Sequence, residues 1–116
     1  MKWQNELNLE NLVFFEKSDA IFLNYFWKEE QIERSAERGG ERRKRVLAGV
    51  DLFGRGSYGG GKMNSWKAVK LALQKGTSVA LFAQGHLFQP FSTFLNLATS
   101  YSPHFQSLLL ISLLNF

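Results

Sequence analysis

The sequence contains no cysteine, which excludes a disulfide framework and any thiolate metal site and suits a reducing compartment. Histidine is scarce as well. His86 and His104 show no Glu-x-x-His or His-x-x-x-His pattern, so nothing resembles a zinc site and no metal or other cofactor is implied. There is no Gly-x-Ser-x-Gly elbow to carry a hydrolase serine. No apolar run approaches the ~20 residues needed to cross a bilayer. The stretch Leu108 to Leu114 is far shorter, and Pro90, Asn96 and Pro103 interrupt what precedes it. Lys2, Glu6 and Glu10 break up any apolar signal-peptide core. Beyond Lys75 there is no Asp, Glu, Lys or Arg at all, a sharp break in composition.

What is present suits one small domain: 116 residues, 45% of them hydrophobic. The aromatic share is high at 15%, with 11 Phe, which suggests an apolar layer that needs covering. The net charge of +4 is modest. Half of the basic residues fall between Lys28 and Arg45, interleaved with Glu29, Glu30, Glu33, Glu37 and Glu41. Mixed signs of this kind mark a solvated helix face. They do not make the aromatic-studded basic patch that nucleic acid requires. The run Arg42-Arg43-Lys44-Arg45 reads as a loop feeding an apolar strand.

Three strand–helix units follow from the patterning. Asp19 to Phe26 is an apolar strand, and Lys28 to Arg38 a polar helix whose thin stripe is Ile32 and Ala36. Gly39-Gly40 closes it, because glycine tolerates the left-handed backbone common at helix ends. Val46 to Phe53 is nearly continuous in apolar character, as expected of a parallel strand buried on both faces. After the glycine-rich loop Gly54 to Gly61, Asn64 or Ser65 caps a helix running to Lys75, with Trp66, Val69 and Leu73 inward and Gly76 as the stop. Ser78 to Ala83 is the third strand. Alternation of this kind predicts an α/β fold with parallel strands and right-handed crossovers. Either an open nucleotide-binding sheet or a barrel would satisfy it.

Chemistry in both architectures gathers at the C-terminal strand ends. Those ends carry Asn24, Tyr25 and Trp27, then Asp51, Phe53 and Arg55, then Gln84 and His86. Amides, rings, one carboxylate and one guanidinium make a sugar-binding palette. Blander roles compete: Asn24 can satisfy nearby backbone, and Trp27 can be a core or lid aromatic. A carboxylate ending a buried strand needs a partner, and Arg55 stands four residues after Asp51. The segment Gly56 to Met63 nearly matches the phosphate-binding G-x-x-x-x-G-K-[ST] pattern between a strand and a helix. Met63 supplies no hydroxyl for Mg²⁺, so a degenerate nucleotide-binding loop is the lesser alternative.

A longer series of segments is more specific. Lys2-Trp3-Gln4-Asn5-Glu6-Leu7-Asn8, Val13-Phe14-Phe15, Ser18 to Trp27, Glu41-Arg42-Arg43, Ala48 to Gly56, Gly59-Gly60-Gly61 and Ser78 to Ala83 together resemble, in order and spacing, the cytosolic endo-β-N-acetylglucosaminidases of glycoside hydrolase family 85. The likeness covers about residues 2 to 85 and fades beyond Phe88. It departs from the family at Ala20, where glycine is usual, and at Gln84 and His86, where proline and tryptophan are common.

The resemblance implies a TIM (β/α)8 barrel, of which this chain would supply about the last three β/α units. Residues 1–86 would be the partial barrel domain and 87–116 a divergent or mispredicted apolar tail. It implies hydrolysis of the chitobiose core of N-linked glycans in the cytosol, by a substrate-assisted route through an oxazoline. An Asn-x-Glu pair on an earlier strand serves that route in the family. Asn8-Leu9-Glu10 has the spacing but follows no apolar strand, so no catalytic residue is assigned. The implied substrate-binding set is Trp3, Asn24, Tyr25, Trp27, Asp51, Phe53 and Arg55, with Trp3 and Trp27 stacking on sugar. The expected partner is an N-glycan or glycopeptide. The expected behaviour of the chain alone is inactivity and instability or aggregation, because the N-terminal part of the barrel is needed for folding. The alternative is a non-catalytic carbohydrate-binding remnant.

Overall fold

The computed structural model describes residues 4–82. The elements, in chain order, are α1 (Leu12–Lys17), β1 (Ile21–Leu23), α2 (Glu29–Gly39), a 3₁₀ segment (Gly40–Arg45), β2 (Val46–Asp51), two 3₁₀ turns (Tyr58–Gly60 and Lys62–Asn64), α3 (Ser65–Gln74) and β3 (Ser78–Phe82). The sheet has the order β1-β2-β3 and is parallel throughout. Ile21 pairs with Val46, and Leu47 to Asp51 pair with Ser78 to Phe82. This is the α/β arrangement that the alternating pattern calls for.

Central β2 is almost wholly buried, because both of its faces are covered. Val46, Ala48, Val50 and Leu52 are buried, and they join Leu7, Phe15, Leu23, Trp27, Ile32, Ala68, Val69, Ala72, Val79 and Leu81 in one core. Helix α2 contributes Ile32, Ser35, Ala36 and Gly39, an i, i+3, i+4, i+7 stripe. Its start is fixed by Gln31, whose Oε1 accepts from the Lys28 amide at 2.8 Å, and by Glu29 and Glu30 at the positive end of the helix dipole. Gly40 and Gly76 end the two long helices with positive φ, at 54° and 88°. Lys75 ties the end of α3 to Glu29 and Glu33 of α2.

Several sequence expectations shift. The first strand is only three residues long, where eight were expected. Past Leu23 the chain leaves the ladder, and the Asn24 amide donates instead to Gln4 O at 2.8 Å. The second strand stops at Asp51 rather than Phe53, because the chain turns back on the Asp51 carboxylate. Arg42 to Arg45 form part of a 3₁₀ segment rather than a plain loop. There the Arg42 guanidinium lies 4.6 Å over the Phe15 ring and donates to the carbonyls of Phe15 and Ser18, closing the C-terminus of α1. On α3 the buried residues are Ser65, Ala68, Val69, Leu71 and Ala72, with Trp66 and Leu73 half-buried beside them. Asn64 takes the cap position without a side-chain cap bond, and the Ser65 hydroxyl is buried with no partner. Helix α1 was not anticipated.

Candidate functional site

Because β1 and β2 run parallel, their C-terminal ends emerge on the same side of the sheet. Gly49 brings them close. A Cβ there would lie 2.6 Å from Leu23 O and 3.1 Å from Tyr25 N, so the bare backbone lets the end of β1 settle against β2. Asn24 and Tyr25 are half-buried at this end. The Asn24 side-chain Nδ2 donates to Asn5 Oδ1 at 3.0 Å, linking the strand end to the N-terminal segment. Trp27 lies deeper. It is 2% exposed, and its Nε1–H donates to Gly49 O at 2.7 Å. The ring stacks nearly parallel on Tyr58, with centroids 5.8 Å apart and planes at 13°. The ring face that the resemblance assigns to a sugar is thus covered by Tyr58.

Asp51 is wholly buried, and its carboxylate is well supplied. Oδ1 accepts from the Phe53 amide at 3.0 Å, and Oδ2 accepts from Arg55 Nε at 2.7 Å. The Asp51 amide donates to Ser57 Oγ at 2.7 Å. One residue therefore ends the strand, turns the chain and aims Arg55. The partnership expected from the i, i+4 spacing is present. Its hydrogen bond raises the Arg55 pKa above the usual arginine value. Arg55 is 66% exposed and its guanidinium sits 5.4 Å above the half-buried Phe53 ring. Asn24, Tyr25, Trp27, Asp51, Phe53 and Arg55 thus belong to two adjacent strand ends. Trp3, Gln84 and His86 lie outside the described residues.

The glycine-rich loop closes over this end. Gly54 and Gly61 meet backbone to backbone: a Cβ on Gly54 would fall 2.1 Å from Gly60 O, and one on Gly61 2.1 Å from the Gly54 Cα. Their φ values are 79° and 69°. Phe26 packs its ring over Gly56, where any Cβ would collide with it. The loop amides turn inward. Those of Gly54, Gly56, Gly60, Lys62 and Asn64 donate to Asp51 O, Gly54 O, Ser57 O, Leu52 O and Gly61 O. A phosphate cradle needs such amides pointing outward, so these five are not available to one. Tyr58 was missed by the sequence reading. Its signal was an aromatic inside a glycine-rich loop at a strand end, overshadowed there by the phosphate pattern.

Asn8-Leu9-Glu10 forms a turn leading into α1. Asn8 Oδ1 accepts from the amides of Glu10 and Asn11, while Asn11 Oδ1 accepts from the Asn8 amide at 2.8 Å. Glu10 stands exposed on the surface. Nearby Glu6 has a different part. Arg34 grips it through two hydrogen bonds, at 2.9 and 2.8 Å, and Arg38 adds a third at 2.6 Å. The Arg34 bonds, with those of Arg38, hold the Glu6 carboxyl at about 2 against the opposing effect of burial. Among the described residues no helix is long and apolar enough to cross a membrane, and no group of three or more metal-ligating side chains assembles.

The comparisons with known proteins agree with the family resemblance. The model of glycosyl hydrolase family 85 matches residues 1–105, past the point where the quoted segments end. The cytosolic endo-beta-N-acetylglucosaminidase of Homo sapiens is 47% identical over 89 residues, which is 77% of this chain and 12% of that protein. Its counterpart in Gallus gallus is 45% identical over the same share of each chain. Cytosolic endo-beta-N-acetylglucosaminidase 1 of Arabidopsis thaliana is 42% identical over 77% of this chain and 13% of its own length. No solved structure matches. The chain spans about an eighth of the length of the curated relatives it matches. With the family model matching residues 1–105 and a relative 47% identical over 77% of the chain, the chain belongs to glycosyl hydrolase family 85.

Proposed function

We propose that this chain supplies part of the glycan-binding wall of an endo-β-N-acetylglucosaminidase acting on the chitobiose core of N-linked glycans in the cytosol. The observation that carries the reading is the Asp51–Arg55 pair. A buried carboxylate fixes an exposed guanidinium at the mouth of two strand ends that also bear Asn24, Tyr25 and Phe53. Arg55 and Asn24 offer hydrogen-bonding groups to sugar hydroxyls or acetamides, and the nearby rings offer flat apolar surface to pyranose faces. The family resemblance assigns Trp3 to sugar stacking as well.

The three parallel strands are read as the last β/α units of a (β/α)8 barrel, carried within residues 1–86, with 87–116 as a divergent tail. A barrel sequesters its strands by closing on itself, so β1 and β3 would each pair with strands from other chain. In the substrate-assisted route, the acetamido oxygen of the substrate attacks the anomeric carbon as the glycosidic bond breaks, giving an oxazolinium, the oxazoline that still carries the acetamide proton. A glutamic acid protonates the leaving oxygen and then, as carboxylate, activates the water that opens the ring. Holding the acetamide in place contributes much of the rate, because the nucleophile is already tethered to the reacting carbon. The Asn-x-Glu pair for those steps is not assigned to any residue of this sequence. The chain therefore binds and positions, and does not itself move the proton. No cofactor enters.

The test is to incubate the purified 116-residue chain with a high-mannose glycopeptide, following glycan release and chain association together. The expected outcome is no release, with elution as species larger than the 13.3 kDa monomer. Sustained glycan release would overturn this reading. A monomer that binds the glycopeptide without cleaving it would instead favour the carbohydrate-binding remnant.

A further inference from the structure

We infer that Tyr58 is the ring on which a sugar stacks at this site, with Trp27 as the support beneath it. The inference rests on the reading of the strand ends as a glycan-binding wall. Trp27 is 2% exposed and its indole N–H is taken by Gly49 O, so it has no face to offer. Tyr58 is 37% exposed. Its ring lies nearly parallel to that of Trp27, with centroids 5.8 Å apart, so the surface it has for a ligand is what Trp27 leaves uncovered.

That arrangement suits a pyranose. The C–H groups on one side of an N-acetylhexosamine form an apolar patch, and such a patch packs on a flat ring. A ring already backed by a second ring gives up little freedom when it does so. The backbone supports the same conclusion. Ser57, immediately before Tyr58, is buried and accepts the Asp51 amide at 2.7 Å. The Gly60 amide closes back on Ser57 O at 3.0 Å. Tyr58 therefore stands on an anchored turn, not at a slack loop tip. Arg55, held through its Nε by Asp51, exposes the rest of its guanidinium in the same loop and can donate to hydroxyl or acetamide oxygens. The loop thus pairs one apolar platform with one polar clamp, the combination that recognises an N-acetylglucosamine unit.

Saturation-transfer NMR with N,N'-diacetylchitobiose on the 116-residue chain tests this. Irradiating aromatic protons of the unaltered chain is expected to saturate the ring C–H protons on one sugar face. Tyr58→Ala is expected to weaken binding about 3- to 10-fold, the range of a single ring contact, and Tyr58→Phe to preserve it. Unchanged binding in Tyr58→Ala overturns the inference while leaving the glycan-wall reading standing. Tighter binding in Tyr58→Ala also overturns it, because Tyr58 would then be a plug over Trp27. Equal loss in Tyr58→Phe and Tyr58→Ala overturns it too, since the ring face would not be what matters. Saturation confined to the acetamide methyl groups of the unaltered chain overturns it without reference to any variant. If the unaltered chain shows the circular dichroism of a folded α/β sheet and binds no disaccharide, the wall reading fails and this inference fails with it.

Discussion

Replacing Gly54 by alanine probes the neck of the loop that carries Arg55 and Tyr58. Gly54 has φ 79°, where an L-residue is disfavoured by about 1–2 kcal/mol. The added Cβ would also lie 2.1 Å from Gly60 O and 2.8 Å from the Gly60 carbonyl carbon. Both are backbone atoms, so the neck must part and one of its hydrogen bonds, such as Lys62 N to Leu52 O, must weaken. Losing one such bond adds about 1–2 kcal/mol, for a total of about 2–4 kcal/mol. If cleavage follows the open population, trypsin should then cut after Arg55 about 30- to 1000-fold faster than in the unaltered chain. Gly60→Ala is the control. It has φ 86° but nothing within 4 Å of its Cβ, so only the conformational cost applies, and acceleration should stay at about 5- to 30-fold. Cleavage after Arg55, timed by mass spectrometry at low micromolar chain, reads both variants. If Gly54→Ala is cut no faster than Gly60→Ala, the backbone contact is not holding the loop, and the reasoning fails.

Glu6→Gln removes the carboxylate that Arg34 and Arg38 share. Both arginines are partly exposed and solvent screens them, so the expected loss is about 1–2 kcal/mol at pH 7, seen as a lower urea midpoint by circular dichroism. The Glu6 pKa is depressed from 4.5 to about 2. Its stabilisation is therefore complete above about pH 5 and lost as the pH falls towards 2, so the variant and the unaltered chain should converge in acid. A difference that persists at pH 2 would contradict this. Asp51→Ala leaves the Phe53 amide without its acceptor and releases Arg55, at an expected cost of about 2–3 kcal/mol by the same measurement. Asp51→Asn can keep the Phe53 bond and should cost less than half as much.

Legibility followed how local each signal was. Strand β2 could be read because both of its faces are covered, which imposes an unbroken apolar run from Val46 to Val50. Strand β1 was overextended because Tyr25, Phe26 and Trp27 continue the apolar run for other reasons. Phe26 lies on Gly56 and Trp27 under Tyr58, contacts the local sequence does not announce. Helix α1 escaped notice because six residues are too short for a periodic stripe. Only Phe15 is buried there, while Val13 and Phe14 face outward. The Asp51–Arg55 pair was legible because both members lie within one turn of chain, and a buried carboxylate must be matched. The grip of Arg34 and Arg38 on Glu6 spans 28 and 32 residues, and no spacing rule reaches that far.

The meeting of Gly54 with Gly61 has a consequence for how such a chain can diversify. Two backbones touching at the base act like a drawstring. Apart from Gly56 and Ser57, which meet Phe26 and Asp51, what is strung between them can be respelled while the strand beneath and the helix beyond keep their places. New loop surfaces can therefore arise by rewriting a handful of codons inside the purse, with the scaffold inherited untouched.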